Sequence, residues 1–213
     1  MAIIAFVYAD IKRELVPIYR PLAEGLVQNI RSVMPGVSIL HVTDDFTPVF
    51  SGCNTLRVPR KVPPMSWRLV AQNLAHAAED EILFTEPDVR FNENVMDLFK
   101  EDFDVTVSDR EKPTILKGKI VKGITLGLNC SRSYDFWKDA AKHCLTLDHK
   151  EQVWGGDMYA VEHVVNSGKY KVLTLPAGIY NHVPCGPEDK SGKVLHYKGN
   201  RKTWLFPAME EVC

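Results

Sequence analysis

Two carboxylates lie two residues apart in Glu81–Phe91, whose sequence is EILFTEPDVRF. The apolar run Ile82–Phe84 predicts a short buried strand, and Glu86 and Asp88 follow in the turn after it. Open α/β sheets bind ligands outside the carboxyl ends of their strands, which is where these acids would lie. Pro87 between them stiffens the turn and donates no hydrogen bond. The two acids could therefore bind a hard divalent cation together with substrate phosphate oxygens; the alternative is an ordinary acidic turn that caps the next helix.

Apolar periodicity predicts alternating strands and helices through the first half of the chain. One helix is indicated by apolar residues at helical spacing from Ile18 to Val33, with Pro21 in its first turn. A second helix carries an apolar stripe from Trp67 to Ala77, with Ser66 as its N-cap. The alternation favours an α/β fold whose central sheet is mostly parallel. The predicted strands of this half are Ile3–Tyr8, Val37–Val42, Cys53–Val58, Ile82–Phe84 and Phe103–Ser108.

The second half of the chain has a different character. Glu111–Lys122 is basic and predicts a mobile surface loop. Strands are predicted at Gly123–Cys130 and Lys171–Leu175, and helices begin at Ser133 and at Gly155-Gly156-Asp157. The tail from residue 178 to 204 shows little periodicity. No repeat and no linker composition interrupts the sequence, so we expect residues 1–213 to form a single domain.

Composition excludes several classes of function. The net charge of −1 and the lack of a basic-aromatic stripe give no reason to expect nucleic-acid binding. No apolar run is long enough to cross a bilayer, and the apolar start of the chain lacks a basic leader, so a cytoplasmic protein is expected. The five cysteines show no CxxC spacing, which argues against a disulfide framework or a structural zinc site. They are Cys53, Cys130, Cys144, Cys185 and Cys213.

Short motifs in a consistent order resemble the glycogenin and lipopolysaccharide-galactosyltransferase family, whose members are nucleotide-sugar glycosyltransferases with the GT-A fold. The resemblance covers nearly the whole chain. It is most specific in HYKGNRKTW, where His196, Gly199, Lys202 and Trp204 keep the spacing of a late family motif. The other matching segments are WRLVAQNL, EILFTEPDV, NENVMDLF, GLNCSRSYDFW, GGDMYAVEHVV and YNHVP.

The chain also departs from the family pattern. Glu86 stands where the family typically has Asp, and Pro87 lies within the carboxylate pair. Met158 replaces a common Gln, and Thr203 replaces the Pro before the tail tryptophan. These departures leave metal dependence and catalytic competence open.

The resemblance implies a metal and diphosphate site. Asp88 and His196 would ligate a divalent cation, and Glu86 would touch the ribose or the metal. Oxygen ligands suit Mg²⁺ or Mn²⁺, and the histidine nitrogen favours Mn²⁺. Lys202 would bind phosphate, and Gly199 would let the backbone approach the diphosphate. For His196 and Lys202, ordinary structural or solvated side chains are the alternatives.

The remaining donor contacts are also implied by the resemblance. The nucleotide base and ribose would lie against Tyr8, Ala9 and Asp10, although Tyr8 could equally be a core aromatic. Arg68 would reach the nucleotide or its phosphates, or be a solvated helix residue.

The donor sugar would lie in a pocket lined by Asp109, Asn129, Asp157 and Asn181. Asp157 is the favoured residue for stabilising positive charge on the sugar or orienting the acceptor. Its alternative role is that of an acid in the first turn of a helix, stabilised by the helix dipole.

The resemblance implies a metal-assisted enzyme that moves a hexose from a nucleotide-diphosphate sugar, a UDP-sugar by preference. Retention of configuration is implied by the family alone. Residues 1 to about 110 would bind the nucleotide, and residues from about 111 to 213 would bind the sugar and acceptor and supply the metal-binding tail. The acceptor could be a glycan, a protein or a small molecule, and a homo-oligomer is left open.

Two alternatives remain. A catalytically degenerate GT-A domain could serve as a nucleotide-binding or protein-interaction module. A nucleotidyltransferase ranks third, because residues 9–13 lack the glycine-rich loop expected after its first strand.

Overall fold

Four parallel strands form one half of the central sheet in the computed structural model, which describes residues 2–10, 13–78, 81–109, 120–121, 124–127 and 130–205. They are β1 (Ile3–Val7), β2 (Ser38–Thr43), β3 (Asn54–Arg57) and β4 (Ile82–Thr85), in the spatial order β3-β2-β1-β4. The register places Phe6 of β1 beside both His41 and Thr85. The carboxyl ends of these strands therefore meet at one edge of the sheet, as the sequence predicts.

The other half of the sheet has mixed strand directions. In this half β6 (Val105–Asp109) pairs antiparallel with β7 (Ile120–Val121) and β8 (Ile124–Gly127), and parallel with β9 (Val172–Leu175). The two halves are joined by β8, which runs antiparallel to β4. The described residues thus give an eight-stranded, mixed sheet.

A separate two-stranded sheet lies beyond β4. In it β5 (Val89–Phe91) pairs antiparallel with β10 (Val194–His196), and His196 lies opposite Val89. This pairing brings the tail of the chain beside the turn that carries Glu86 and Asp88.

The side chains of β1 alternate between two apolar cores. Ile3, Ala5 and Val7 join one core, and their neighbours Ile4 and Phe6 join the other, as the two-residue period of a strand requires. The helices cover both faces of the sheet: α1 (Val16–Val33), α2 (Pro64–His76), α3 (Cys130–Cys144), α4 (His149–Val153), α5 (Gly156–Asn166) and α6 (Ala177–Tyr180). Short 3-10 helices span Arg13–Leu15, Met96–Lys100 and Gly199–Leu205.

The starts of the first two helices differ from the sequence predictions. Helix α1 begins at Val16, so Pro21 lies inside it, while another proline, Pro17, takes the early position that suits its missing N–H. Ser66 as an N-cap is wrong. It lies inside α2, where its hydroxyl is buried 3.4 Å from the Cys144 sulfur. The stripe of α2 is also shifted, because Leu69 is buried and Leu74 is 41% exposed.

Parts of two predictions lie outside the described residues. Most of the basic segment Glu111–Lys122 does so, and residues 120–121 form β7. Asn129 also lies outside. Across the described part of the chain, no helix combines the length and apolar character needed to cross a membrane.

Candidate metal and diphosphate site

Three potential metal ligands converge at the carboxyl end of β4. Glu86 and Asp88 follow that strand directly, and the β5–β10 pairing brings His196 against them. Its Nε2 atom lies 3.1 Å from Glu86 Oε2 and 3.4 Å from Asp88 Oδ1. One donor atom from each residue lies within 4.8 Å of the other two. We call Glu86, Asp88 and His196 the donor cluster.

Each carboxylate of the donor cluster divides its two oxygens between the imidazole and a cation. Glu86 Oε1 accepts a hydrogen bond from the Arg68 guanidinium. Asp88 Oδ2 lies 2.8 Å from Lys202 Nζ. The remaining oxygens, Glu86 Oε2 and Asp88 Oδ1, both face His196 Nε2. The donor cluster therefore brings two oxygens and one nitrogen within 4.8 Å of one another.

The buried charges shift one another's pKa values. Burial alone raises the pKa of Glu86, but Arg68 and His196 outweigh it and lower the pKa from 4.5 to about 2. Burial also raises the pKa of Asp88, and here His196 and Lys202 bring it below its ordinary value. Both acids are therefore ionised at neutral pH. In turn, burial lowers the pKa of His196, whereas Asp88 and Glu86 raise it by more.

Asn181 fixes the orientation of the His196 ring. Its Oδ1 atom lies 2.8 Å from His196 Nδ1, and both residues are almost fully buried. An Nδ1–H donated to this oxygen leaves Nε2 facing the two carboxylates, which is the tautomer that a metal ligand needs. The sequence predicts Asn181 as a sugar-pocket residue, whereas the structure places it behind the donor cluster.

Arg68 connects the donor cluster to Asp157. Its Nη1 atom lies 3.4 Å from Asp157 Oδ2, while Nη2 contacts Glu86. Asp157 is buried in the first turn of α5, which begins directly after Gly155 with a φ of 82°. A Cβ on Gly156 would lie 2.5 Å from the Glu151 carbonyl oxygen, so only glycine lets α4 and α5 approach this closely.

Charges of both signs alternate around the donor cluster among the residues that the structure describes. Glu86, Asp88 and Asp157 supply three carboxylates, and Arg68 and Lys202 supply two cations. Two carboxylates and an imidazole with donor atoms this close together form a ligand set that suits Mn²⁺ or Mg²⁺.

The residues after β1 form a second group along the same edge of the sheet. Tyr8 is buried, and its hydroxyl hydrogen-bonds to Asp10. Burial and this hydrogen bond raise the pKa of Tyr8. The Asp10 backbone N–H donates to Thr47 Oγ1 at 2.8 Å, and Arg20 lies 3.7 Å from the Asp10 carboxylate. Ala9 lies between them, partly buried against one core.

The other predicted site residues are less closely connected to the donor cluster. Gly199 has a φ of +60° and open space around a hypothetical Cβ, so glycine is required there by the backbone. Asp109 is exposed at the end of β6, and no contact with the donor cluster is seen within the described residues. Asn129 follows β8, whose last residue Gly127 pairs with Ile82 at the far end of β4, but Asn129 itself is not described.

The structure adds contacts that the sequence analysis did not predict. The Lys202 ammonium lies 5.6 Å from the ring centroid of Tyr19, which restrains the cation beside Asp88. Thr47 and Arg20 hold Asp10 in place. These partners lie on different elements, far apart in the chain, so no local spacing marked them.

Similar folds occur in solved glycosyltransferase structures. GlyE from Streptococcus pneumoniae TIGR4 matches with a TM-score of 0.61 and 14% identity over 96% of this chain and 60% of GlyE. The galactosyltransferase LgtC, in complex with donor and acceptor sugar analogs, matches with a TM-score of 0.59 and 12% identity, over 94% of this chain and 88% of LgtC. A glycosyltransferase involved in glycosylation of the major capsid of PBCV-1 matches with a TM-score of 0.61 and 13% identity. The match covers 95% of this chain and 98% of that protein.

These comparisons confirm the predicted GT-A-like α/β fold. The chain spans about 60% of the length of GlyE. The sequence itself matches no protein-family model and no curated protein. At identities of 12–14%, the solved structures show what this chain resembles in fold, and its chemistry has to be argued from its own residues.

Proposed function

We propose that this protein transfers a hexose from a nucleotide-diphosphate sugar to an acceptor, with a divalent cation bound at the donor cluster. The observation that carries the proposal is the convergence of Glu86, Asp88 and His196 at the carboxyl edge of the sheet. The shared fold with glycosyltransferases supports it. Ligands in open α/β sheets bind at this edge.

The charge of the site suits a diphosphate. A divalent cation at the donor cluster would add two positive charges to a site that already holds the cations of Arg68 and Lys202. When bound, the cation would act as a Lewis acid on the departing diphosphate. Lys202, 2.8 Å from Asp88, and Arg68, beside Glu86, would add fixed positive charge close to the same oxygens.

The transfer itself breaks the bond between the sugar anomeric carbon and the diphosphate oxygen. The electron pair leaves with the nucleoside diphosphate. The acceptor hydroxyl forms the new bond to the anomeric carbon, and its proton goes to the departing diphosphate oxygen. Asp157 would stabilise the positive charge that develops on the sugar. Its carboxylate is buried, and Arg68 Nη1, 3.4 Å from Asp157 Oδ2, holds it in place. Retention of configuration is part of the proposal and rests on the family resemblance.

Within this reading, the donor is a UDP-hexose and the metal is Mn²⁺. One nitrogen among the ligands favours Mn²⁺ over Mg²⁺. LgtC is a galactosyltransferase, which supports a hexose donor. The first 110 residues would bind the nucleotide, and the remaining residues would bind the sugar and acceptor. Free thiols at Cys53 and Cys185 are compatible with a cytoplasmic location.

A thermal-shift titration tests this proposal. UDP, GDP and their hexose conjugates are each added with Mn²⁺ and with EDTA. We expect a rise in Tm with UDP or a UDP-hexose that requires Mn²⁺, because a ligand of the native state stabilises it by mass action. Asp88→Asn and His196→Gln should abolish the rise, with metal-dependent affinity weakened at least about 100-fold.

A matched control and a turnover assay complete the test. Asp97→Asn removes an exposed surface acid and should leave the rise unchanged. Release of UDP from a UDP-hexose should require Mn²⁺ and an intact Asp88. If no nucleotide raises Tm with either Mn²⁺ or EDTA, the proposed function is wrong.

The alternative function is a degenerate GT-A domain that binds a nucleotide or a protein without turnover. The observation in its favour is that Arg68 and Lys202 already neutralise the outer oxygens of Glu86 and Asp88. A nucleotide-binding module would bind nucleotide equally well in Mn²⁺ and in EDTA, and a protein-binding module would bind none. Neither would release UDP from any UDP-hexose.

A further inference from the structure

The loop after β2 holds one phenyl ring almost entirely in solvent. Phe46 is 90% exposed, which exceeds every other large apolar side chain within the described residues. Its neighbours Thr47 and Phe50 are buried. A single exposed apolar side chain is ordinary on a protein surface, so Phe46 is of interest for where it lies and for how its backbone is held.

The turn that carries Phe46 is rigid. The buried carboxylate of Asp44 accepts hydrogen bonds from the backbone N–H groups of Phe46 at 3.1 Å and Thr47 at 2.8 Å. Arg57 donates to the carbonyl oxygens of Asp44 and Thr47, and Arg60 lies 3.8 Å from the Asp44 carboxylate. Phe46 is therefore held outward by a fixed backbone, which lowers the entropy cost of stacking a ligand on it.

The same turn is tied to the predicted nucleotide end of the sheet. Thr47 Oγ1 accepts the Asp10 backbone N–H at 2.8 Å. Because β2, β1 and β4 are adjacent parallel strands, Phe46, Asp10 and the donor cluster follow one another along the carboxyl edge. Two strand spacings separate the β2 and β4 ends, which is about 10 Å. An extended nucleoside diphosphate has the same order of parts, with base, ribose and diphosphate in a line.

We propose that Phe46 stacks on the nucleobase of the nucleotide sugar, while the donor cluster of Glu86, Asp88 and His196 holds its diphosphate. The inference rests on the proposed function and names a binding residue for it. A planar base offers a π-face to a phenyl ring whatever its hydrogen-bonding edge, so Phe46 would supply affinity, and other groups would select the base.

Paired titrations with UDP and inorganic pyrophosphate test the inference, each in the presence of Mn²⁺. Phe46→Ala should raise the Kd for UDP about tenfold, within the range measured for base–aromatic stacking. The Kd for pyrophosphate, which has no base, should stay within about twofold. Val49→Ala, at a residue 51% exposed in the same loop, is the matched control and should change neither.

A second variant gives a direct optical readout. Phe46→Trp should change its tryptophan fluorescence on adding UDP, relative to wild type, and show no such change on adding pyrophosphate. Unchanged UDP affinity in Phe46→Ala would overturn the inference, as would an equal loss for UDP and pyrophosphate. If wild-type protein with Mn²⁺ binds UDP no more tightly than pyrophosphate, the base adds no affinity. That result would overturn the inference about Phe46 and would leave the diphosphate site supported. If the wild-type protein binds neither, the proposed function fails together with the inference.

Discussion

The two ends of the carboxyl edge are built in opposite ways. At the β4 end, Glu86, Asp88 and His196 are largely buried, and each makes a charged contact with a neighbour. At the β2 end, Phe46 is 90% exposed on a rigid turn. A buried, prearranged set of charges is effective on a diphosphate because little reorganisation is needed. An exposed ring suits a base, which binds through surface contact.

This comparison also separates stability from binding. Side chains at the β4 end are linked to one another, so removing one leaves a partner charge unpaired. Phe46 makes few contacts that the fold depends on, so its removal should affect ligand binding alone. The predictions below test that difference, beginning with the largest effect.

Arg68→Met should destabilise the protein by about 3 kcal/mol at neutral pH in EDTA, because the buried carboxylates of Glu86 and Asp157 lose their shared cation. For a chain of this size that is a fall in Tm of about 6–12 °C. Arg68→Lys should recover part of the loss, since it keeps the charge. Phe46→Ala, at an exposed site, should change the free energy of unfolding by less than about 0.5 kcal/mol. Equal effects at the two sites would contradict the comparison.

The Arg68 effect should depend on pH with a definite sign. The pKa of Glu86 falls from 4.5 to about 2 on folding, so its contribution is fully present above pH 4.5 and is lost as the pH falls toward 2. The difference between wild type and Arg68→Met should therefore be largest above pH 4.5 and shrink below it. Urea unfolding at several pH values measures it, and a constant difference would show that Arg68 acts by packing alone.

Asn181→Leu should weaken metal binding by about 10- to 100-fold, the range found for residues that orient a metal-bound histidine. The loss follows because His196 Nδ1 would have no acceptor to hold its ring. Asn181→Asp keeps an acceptor oxygen at this position and should retain most of the affinity. Visible absorption of bound Co²⁺ reports the ligand geometry directly. Unaltered Co²⁺ spectra and affinity in Asn181→Leu would mean that the ring is positioned by packing.

Mn²⁺ affinity should increase with pH. Burial lowers the pKa of His196, but Asp88 and Glu86 raise it above its ordinary 6.5. A protonated imidazole cannot ligate a cation, so each bound ion displaces about one proton below that pKa. Affinity should therefore rise about tenfold per pH unit and then level off. Calorimetric titration measures it, and His196→Gln should flatten the dependence. A pH-independent wild type would exclude His196 as a ligand.

Much of the fold could be predicted from local patterns. A strand was predicted at Ile3–Tyr8, and β1 spans Ile3–Val7 with each of its residues buried. The alternation of strands and helices predicted the parallel half of the sheet. Helix starts were less predictable, because Pro17 took the first-turn position assigned to Pro21, and Pro63 took the N-cap position assigned to Ser66. One proline can substitute for another at a helix start, so the sequence leaves the boundary open.

The sequence by itself determined which chemical groups the site contains. A buried strand followed by Glu86 and Asp88, and the spacing of His196 and Lys202 in the tail, specify carboxylate, imidazole and ammonium groups. Only the tertiary structure decided how they pair. The β5–β10 register sets His196 opposite Val89, and α2 sets Arg68 between Glu86 and Asp157. Such pairings join residues far apart in the chain. Charge and burial can stabilise a pair only after the folded backbone has brought its two residues together, so the local sequence does not specify the partner.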